Sequence, residues 1–200
     1  MWKGVKGIVL VLVNAYRRKA FRRWLMNSMT MQPLFPSQSS PIEPHIDVAE
    51  CITITRMASN QDLQRFVEAQ QPVYEQICAE LAAGRKSSHW MWFIFPQLAG
   101  LGRSSMAVRF ALASVTEAQA YWQHEQLGPR LKQCIELVMA SKGKTAFQIF
   151  GTPDDLKFRS CLTLFAHAVP SQPLFKAALT KFFHGELDSK TVELFPREQL

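Results

Sequence analysis

His89-Trp90-Met91-Trp92-Phe93-Ile94-Phe95-Pro96-Gln97-Leu98-Ala99-Gly100-Leu101-Gly102-Arg103-Ser104 is the stretch on which the reading of this chain turns. It opens with six consecutive large apolar side chains, Trp90 to Phe95, and closes in a turn punctuated by glycine that carries Gln, Arg and Ser. Burying each large apolar side chain is worth about 1.5–3 kcal/mol, so the run contributes on the order of 10 kcal/mol gross. The net stability of a whole domain is about 5–15 kcal/mol. Such a run does not stand in water on a soluble monomer. It is core or it is an interface.

Charge separates the chain into two parts. The net charge is +7, and residues 1–30 hold Lys3, Lys6, Arg17, Arg18, Lys19, Arg22 and Arg23 with no acid. The rest of the chain balances 16 basic against 16 acidic side chains. The basic excess therefore belongs to a tail, and nucleic-acid binding by the core domain is not expected. The apolar run Ile8–Val13 is far shorter than the about 20 residues of a spanning helix. Its strongest charge cluster, Arg17 to Arg23, follows the run, whereas a signal peptide carries its charge before the run and a small-residue cleavage site after it. Membrane contact is expected only if this basic N-terminus is part of the translated protein. Pro33, Pro36, Pro41 and Pro44 then mark a disordered or extended linker. Residues 1–58 are read as a basic N-terminal extension and Pro-rich linker outside the fold, and 59–200 as one α-helical domain.

Within that domain the period is helical. Leu63, Phe66, Val67, Ala69, Val73, Tyr74, Ile77, Cys78 and Leu81 recur at steps of three and four after a cap at Ser59 or Asn60. Pro72 predicts a kink, or two abutting helices with the proline in a first turn. Ser104 or Ser105 caps a short helix through Met106, Val108, Phe110 and Leu112. Ser114-Val115-Thr116-Glu117 reads as a capping box, and Leu127-Gly128-Pro129 opens a longer helix with Leu131, Cys134, Ile135, Val138 and Met139 on its apolar face. A short helix from Thr145 to Phe150 stops at Gly151. Thr152-Pro153-Asp154-Asp155 combines an N-cap, a proline at the first helical position and two acids for the helix dipole. The helix it opens, to Ala168, is apolar on more than one side and should be central. Helices near Pro173–Phe183 and Lys190–Phe195 close the chain. No stretch alternates long enough to force a strand. The expected fold is all-α: a compact multi-helix domain of short helices around a central apolar helix, with a disordered or extended N-terminal tail.

Cys51, Cys78, Cys134 and Cys161 are widely spaced, without a Cys-x-x-Cys or a neighbouring histidine. Neither a disulfide framework nor a metal site is expected, and no cofactor is called for. A reducing cytoplasmic setting fits.

Ser88 to Gln97, Gly100 to Ser104, Asp154-Asp155-Leu156-Lys157-Phe158-Arg159-Ser160 and Asp62 to Gln70 together resemble the bacterial domain-of-unknown-function 1810 family. The likeness runs from about residue 60 to residue 195. It implies a mainly α-helical fold and a start near Met57, and it implies no established activity, substrate or catalytic residue.

Candidate chemistry therefore rests on the residues alone. His89 stands where a polar connector meets the aromatic run: either a structural ring that caps or bonds backbone, or a group that titrates near neutral pH and meets a ligand. Trp90 and Trp92 are core residues first, although a buried indole N–H requires a partner and Trp92 can line a pocket edge. Gly100 to Ser104 is either a tight turn with a helix cap, or a turn whose N–H groups, with Arg103 and Ser104, hold an anion. Asp155 and Arg159 stand i,i+4, so Lys157 and Arg159 either pair with neighbouring acids or face a cleft holding an acidic ligand. His89, Trp92, Gln97, Arg103, Ser104, Lys157 and Arg159 are thus the candidate binding residues for a small phosphorylated or acidic metabolite, with or without catalysis. The alternative is a non-enzymatic interaction or homodimerisation module using Trp90–Phe95. Nucleophilic catalysis lacks a motif, since Ser104, Ser160 and Cys161 have no evident base partner.

Overall fold

In the computed structural model, which describes residues 63–195, the aromatic run is helical only at Met91–Ile94. Five of its six apolar side chains (Trp90, Met91, Phe93, Ile94 and Phe95) are buried, and Trp92 is half-buried. The run is core. The basic extension, the Pro-rich linker, Cys51 and the cap expected at Ser59 or Asn60 lie outside the described residues.

Every regular element among the described residues is a helix. Helix α1 covers residues 63–70 and α2 covers Tyr74–Ala82, joined by a turn at 71–73. Pro72 therefore separates two abutting helices, yet it precedes the N-cap Val73 instead of occupying the first turn. Helix α3 is Met91–Ile94, and α4 is Ser105–Arg109 with Ser104 as its cap. The expected extension of α4 through Leu112 does not occur. Leu112 forms an isolated parallel bridge with Leu98, its N–H donating to the Gln97 carbonyl at 2.9 Å. A buried residue in a bridge and one on a helix face look alike in apolar spacing.

Helix α5, Val115–Gln123, begins where Ser114 accepts from the Glu117 N–H. The Glu117 carboxylate accepts from the Ala113 N–H and from Arg65, so half of the expected capping box is replaced by a tertiary ion pair. Helix α6 is Leu127–Ala140, and α7 is Ala146–Phe150, opened by a full capping box between Thr145 and Gln148. Helix α8, Asp154–Ala168, starts one residue later than the sequence suggests, with Pro153 as N-cap. Helices α9, Pro173–Phe183, and α10, Ser189–Glu193, complete the fold. The last is shorter than the expected Lys190–Phe195, since Phe195 folds into the core beyond the helix end.

Helix α8 is the axis, as its apolar girth implies: it packs against α5, α7, α9 and α10. Its Phe158 meets Phe95 and Phe150 with ring centroids 4.9 Å from each, which ties the aromatic run to α7 and α8. On the other side a buried polar knot holds the run in register. Gln70, fully buried, donates to the Phe93 carbonyl at 2.7 Å and to the Tyr121 hydroxyl at 3.0 Å. One side chain of α1 thereby fixes α3 and α5 together. Buried polar groups are tolerated when they are satisfied in this way.

Candidate functional site

The sequence route into α8 brings two lysines to one carboxylate. Lys86 sits in the connector between α2 and α3, its backbone N–H donating to the Ile149 carbonyl at 2.7 Å. Its Nζ lies 2.7 Å from Asp154 Oδ2, while Lys157 Nζ lies 2.7 Å from Asp154 Oδ1. All three side chains are largely enclosed, at 10%, 16% and 20% exposure for Lys86, Asp154 and Lys157. Burial pushes the Asp154 carboxyl up. The hydrogen bonds and charges of Lys157 and Lys86 outweigh it and hold the group below its ordinary range. Lys157 Nζ also lies 4.5 Å from the centroid of the Trp92 ring, a cation–π contact. Each ammonium carries three donors, and Asp154 takes one from each, so two ammonium groups share one carboxylate beside an indole face.

A second carboxylate fixes the connector that carries this corner. Glu80 Oε2 accepts from the Ser87 N–H at 2.8 Å, the Ser88 N–H at 3.1 Å and the Trp90 indole at 2.8 Å. Its Oε1 accepts from the Ser88 hydroxyl at 2.6 Å and from Gln76 at 3.0 Å. Burial alone pushes the Glu80 carboxyl up, but the donors from Ser87, Ser88 and Trp90 together hold it well below the usual carboxylate range. The buried Trp90 indole thus finds the partner its burial requires. His89, between Ser88 and Trp90, is exposed.

The candidate residues divide. The structure brings Trp92 and Lys157 into contact, with His89 on the connector that leads into the run. Arg159 is two positions from Lys157, on a different side of α8. Its guanidinium donates to the Glu186 carbonyl at 3.2 Å, the Glu186 carboxylate at 2.9 Å and the Leu187 carbonyl at 2.9 Å. The anticipated neighbour Asp155 does not take it, and Asp155 Oδ1 is enclosed without a hydrogen-bond partner. Gln97 is half-buried and its carbonyl belongs to the Leu98–Leu112 bridge. Arg103 and Ser104 are exposed, and the Ser104 hydroxyl accepts from the Ala107 N–H at 3.2 Å. Gly102 is needed there because a methyl group on it would run into Ala107. The Gly100–Ser104 turn thus has a sufficient structural reason.

Lys86, Asp154 and Glu80 were missed by sequence reasoning. Lys86 reads as a connector residue and Asp154 as a dipole partner; only the buried indole of Trp90 signals that an acceptor such as Glu80 must exist. None of the seven candidates lines the hollow of about 180 Å³ walled by Thr163, His167, Lys176, Leu187, Val192 and Phe195. Burial pushes the thiols of Cys134 and Cys161 up, which leaves neither a ready nucleophile near neutral pH. Among the described residues no group of three or more His, Cys, Asp or Glu is placed to hold a metal, and no helix is long and apolar enough to cross a membrane.

A helical domain centred on one enclosed helix, with a lysine–tryptophan corner at that helix's start, is the class these features define. Residues 60–195 match the family described as a protein of unknown function, DUF1810, and the chain belongs to it. It is similar to the crystal structure of the conserved hypothetical protein Rv1873 from Mycobacterium tuberculosis, at 54% identity and a TM-score of 0.66. That likeness covers 67% of this chain and 96% of that one. No curated protein shows significant similarity to the chain.

Proposed function

We propose that this is a cytoplasmic protein that binds a small phosphorylated or otherwise acidic metabolite at the corner formed by Lys86, Lys157 and Trp92. The observation that carries the reading is the sharing of Asp154 by two enclosed ammonium groups, one of them 4.5 Å from the Trp92 ring. The uncommitted lysine N–H groups suit a phosphate or carboxylate, and the indole suits the planar or sugar body attached to it. His89 and Arg103, both exposed, are additional donors for such a ligand. Burial of five members of the aromatic run weighs against an interaction module built on Trp90–Phe95, because it leaves Trp92 as the member with substantial surface. Cys78, Cys134 and Cys161 are free thiols, in keeping with a reducing compartment.

A thermal-shift screen of the full chain against sugar phosphates, nucleotides and di- and tricarboxylates tests the proposal. A ligand at 100 times its Kd adds about 2.7 kcal/mol, or roughly 5–10 °C for a domain of this size. The shift is expected to vanish in Lys157→Met and to shrink in Trp92→Phe. A hit that both variants retain unchanged places the site elsewhere.

A further inference from the structure

We infer that the half-open hollow between α8, α9 and the chain from Leu187 to Phe195 is a second binding site, for a small carboxylic acid with a compact apolar body. Its volume of about 180 Å³ is close to the roughly 150 Å³ of an apolar cavity that accepts benzene. Ala166, Leu187, Val192 and Phe195 give it apolar walls. Thr163 adds little polarity, because its hydroxyl already donates to the Arg159 carbonyl and accepts from the Asp188 N–H, both at 2.9 Å.

The neighbouring acids are committed as well. Glu186 pairs with Arg159 at 2.9 Å, and Asp188 Oδ2 accepts from the Thr191 N–H and hydroxyl at 2.9 and 2.6 Å. What remains on the lining is the imidazole of His167, stacked on Phe195 at 4.1 Å, and the ammonium of Lys176. Among the described residues neither has a hydrogen-bonded or ion-paired partner. A half-open apolar hollow whose uncommitted polar groups are one ammonium at its mouth and one imidazole matches a carboxylate on a small hydrophobic body. The Lys176 ammonium, exposed at the mouth of the hollow, attracts a carboxylate and repels a cation, while a neutral molecule gains nothing from it. The walls are set in advance: Arg159 fixes Glu186 and Leu187, and Asp188 caps α10. This gives Arg159 a place as a positioning residue for the hollow rather than a ligand contact.

The test is an amide-resolved NMR titration of the full chain with sodium benzoate, with benzyl alcohol as the neutral isostere. Saturable shifts are expected at His167, Leu187, Val192 and Phe195, with benzoate bound at least about tenfold more tightly than benzyl alcohol, the range of one charge-assisted hydrogen bond. Lys176→Met, a change at an exposed position, should erase that difference. The inference is overturned if no saturable shift occurs around the hollow, if the alcohol binds as tightly as the acid, or if Lys176→Met leaves the benzoate affinity unchanged. Benzoate that moves only the Trp92 indole would overturn it as well, while leaving the Lys157–Trp92 proposal standing.

Discussion

Glu80 accepts five hydrogen bonds while almost fully enclosed, so a single-atom change there has large consequences. In Glu80→Gln an NH₂ group must face donors. Hydrogen bonds to charged groups are worth about 1.5–3 kcal/mol each, and the expected loss is about 2–3 kcal/mol, read from the urea midpoint. The pH dependence carries a sign. The folded-state pKa of Glu80 lies below its unfolded value of about 4.3, so its stabilisation is present above that value and is lost as pH falls through the folded pKa. The gap between wild type and Glu80→Gln should therefore be full at neutral pH and narrow as pH falls below about 4. A gap independent of pH would contradict the assignment. At this scale the sequence is partly legible. Ser104 and Ser114 announce themselves as caps, because a cap is a local relation over three residues. Glu80, Lys86 and Asp154 do not, because the Lys86–Asp154 pair and the Ser87–Ser88–Trp90 donor set exist only once the chain has folded back.

Helices α5 and α6 meet at a point where only glycine fits. A methyl group on Gly128 would run into the Trp122 carbonyl oxygen, and backbone cannot move aside as a flexible side chain can. Gly128→Ala is expected to cost about 2–3 kcal/mol, at the upper part of the overpacking range, seen as a lowered melting temperature. An unchanged melting temperature would mean the two helices are not so close. Gln70→Leu, which keeps the volume but removes the donor shared by Phe93 and Tyr121, should cost about 1–3 kcal/mol; a neutral outcome in chemical denaturation would show that the knot does not hold α3 against α5. Most helices were readable from period and punctuation, and the centrality of α8 followed from apolar residues on more than one side; α3 at Met91–Ile94 was not, because an unbroken apolar run shows no helical period. The ends were less so. Leu112 continued a helical spacing into what is a bridge with Leu98, and Pro153 fell one place outside the helix it was expected to enter, since neighbouring segments decide where a helix stops.

Over the whole molecule, the aromatic run does what its composition demanded: it joins α7 and α8 through Phe95, Phe150 and Phe158 and leaves Trp92 beside Lys157. The seven residues proposed from sequence share no single geometry of contacts. Arg159 anchors the 186–187 backbone, Ser104 caps α4, and Trp92 meets Lys157. Acid binding at the Lys86–Lys157–Trp92 corner is read most directly from the indole N–H resonance of Trp92, assigned through Trp92→Phe, during titration of the full chain with ribose 5-phosphate, adenosine monophosphate and citrate. A saturable shift of that resonance is expected with at least one of these acids, abolished in Lys157→Met. A Trp92 resonance that none of them moves, or a shift that persists without Lys157, would contradict acid binding at this corner.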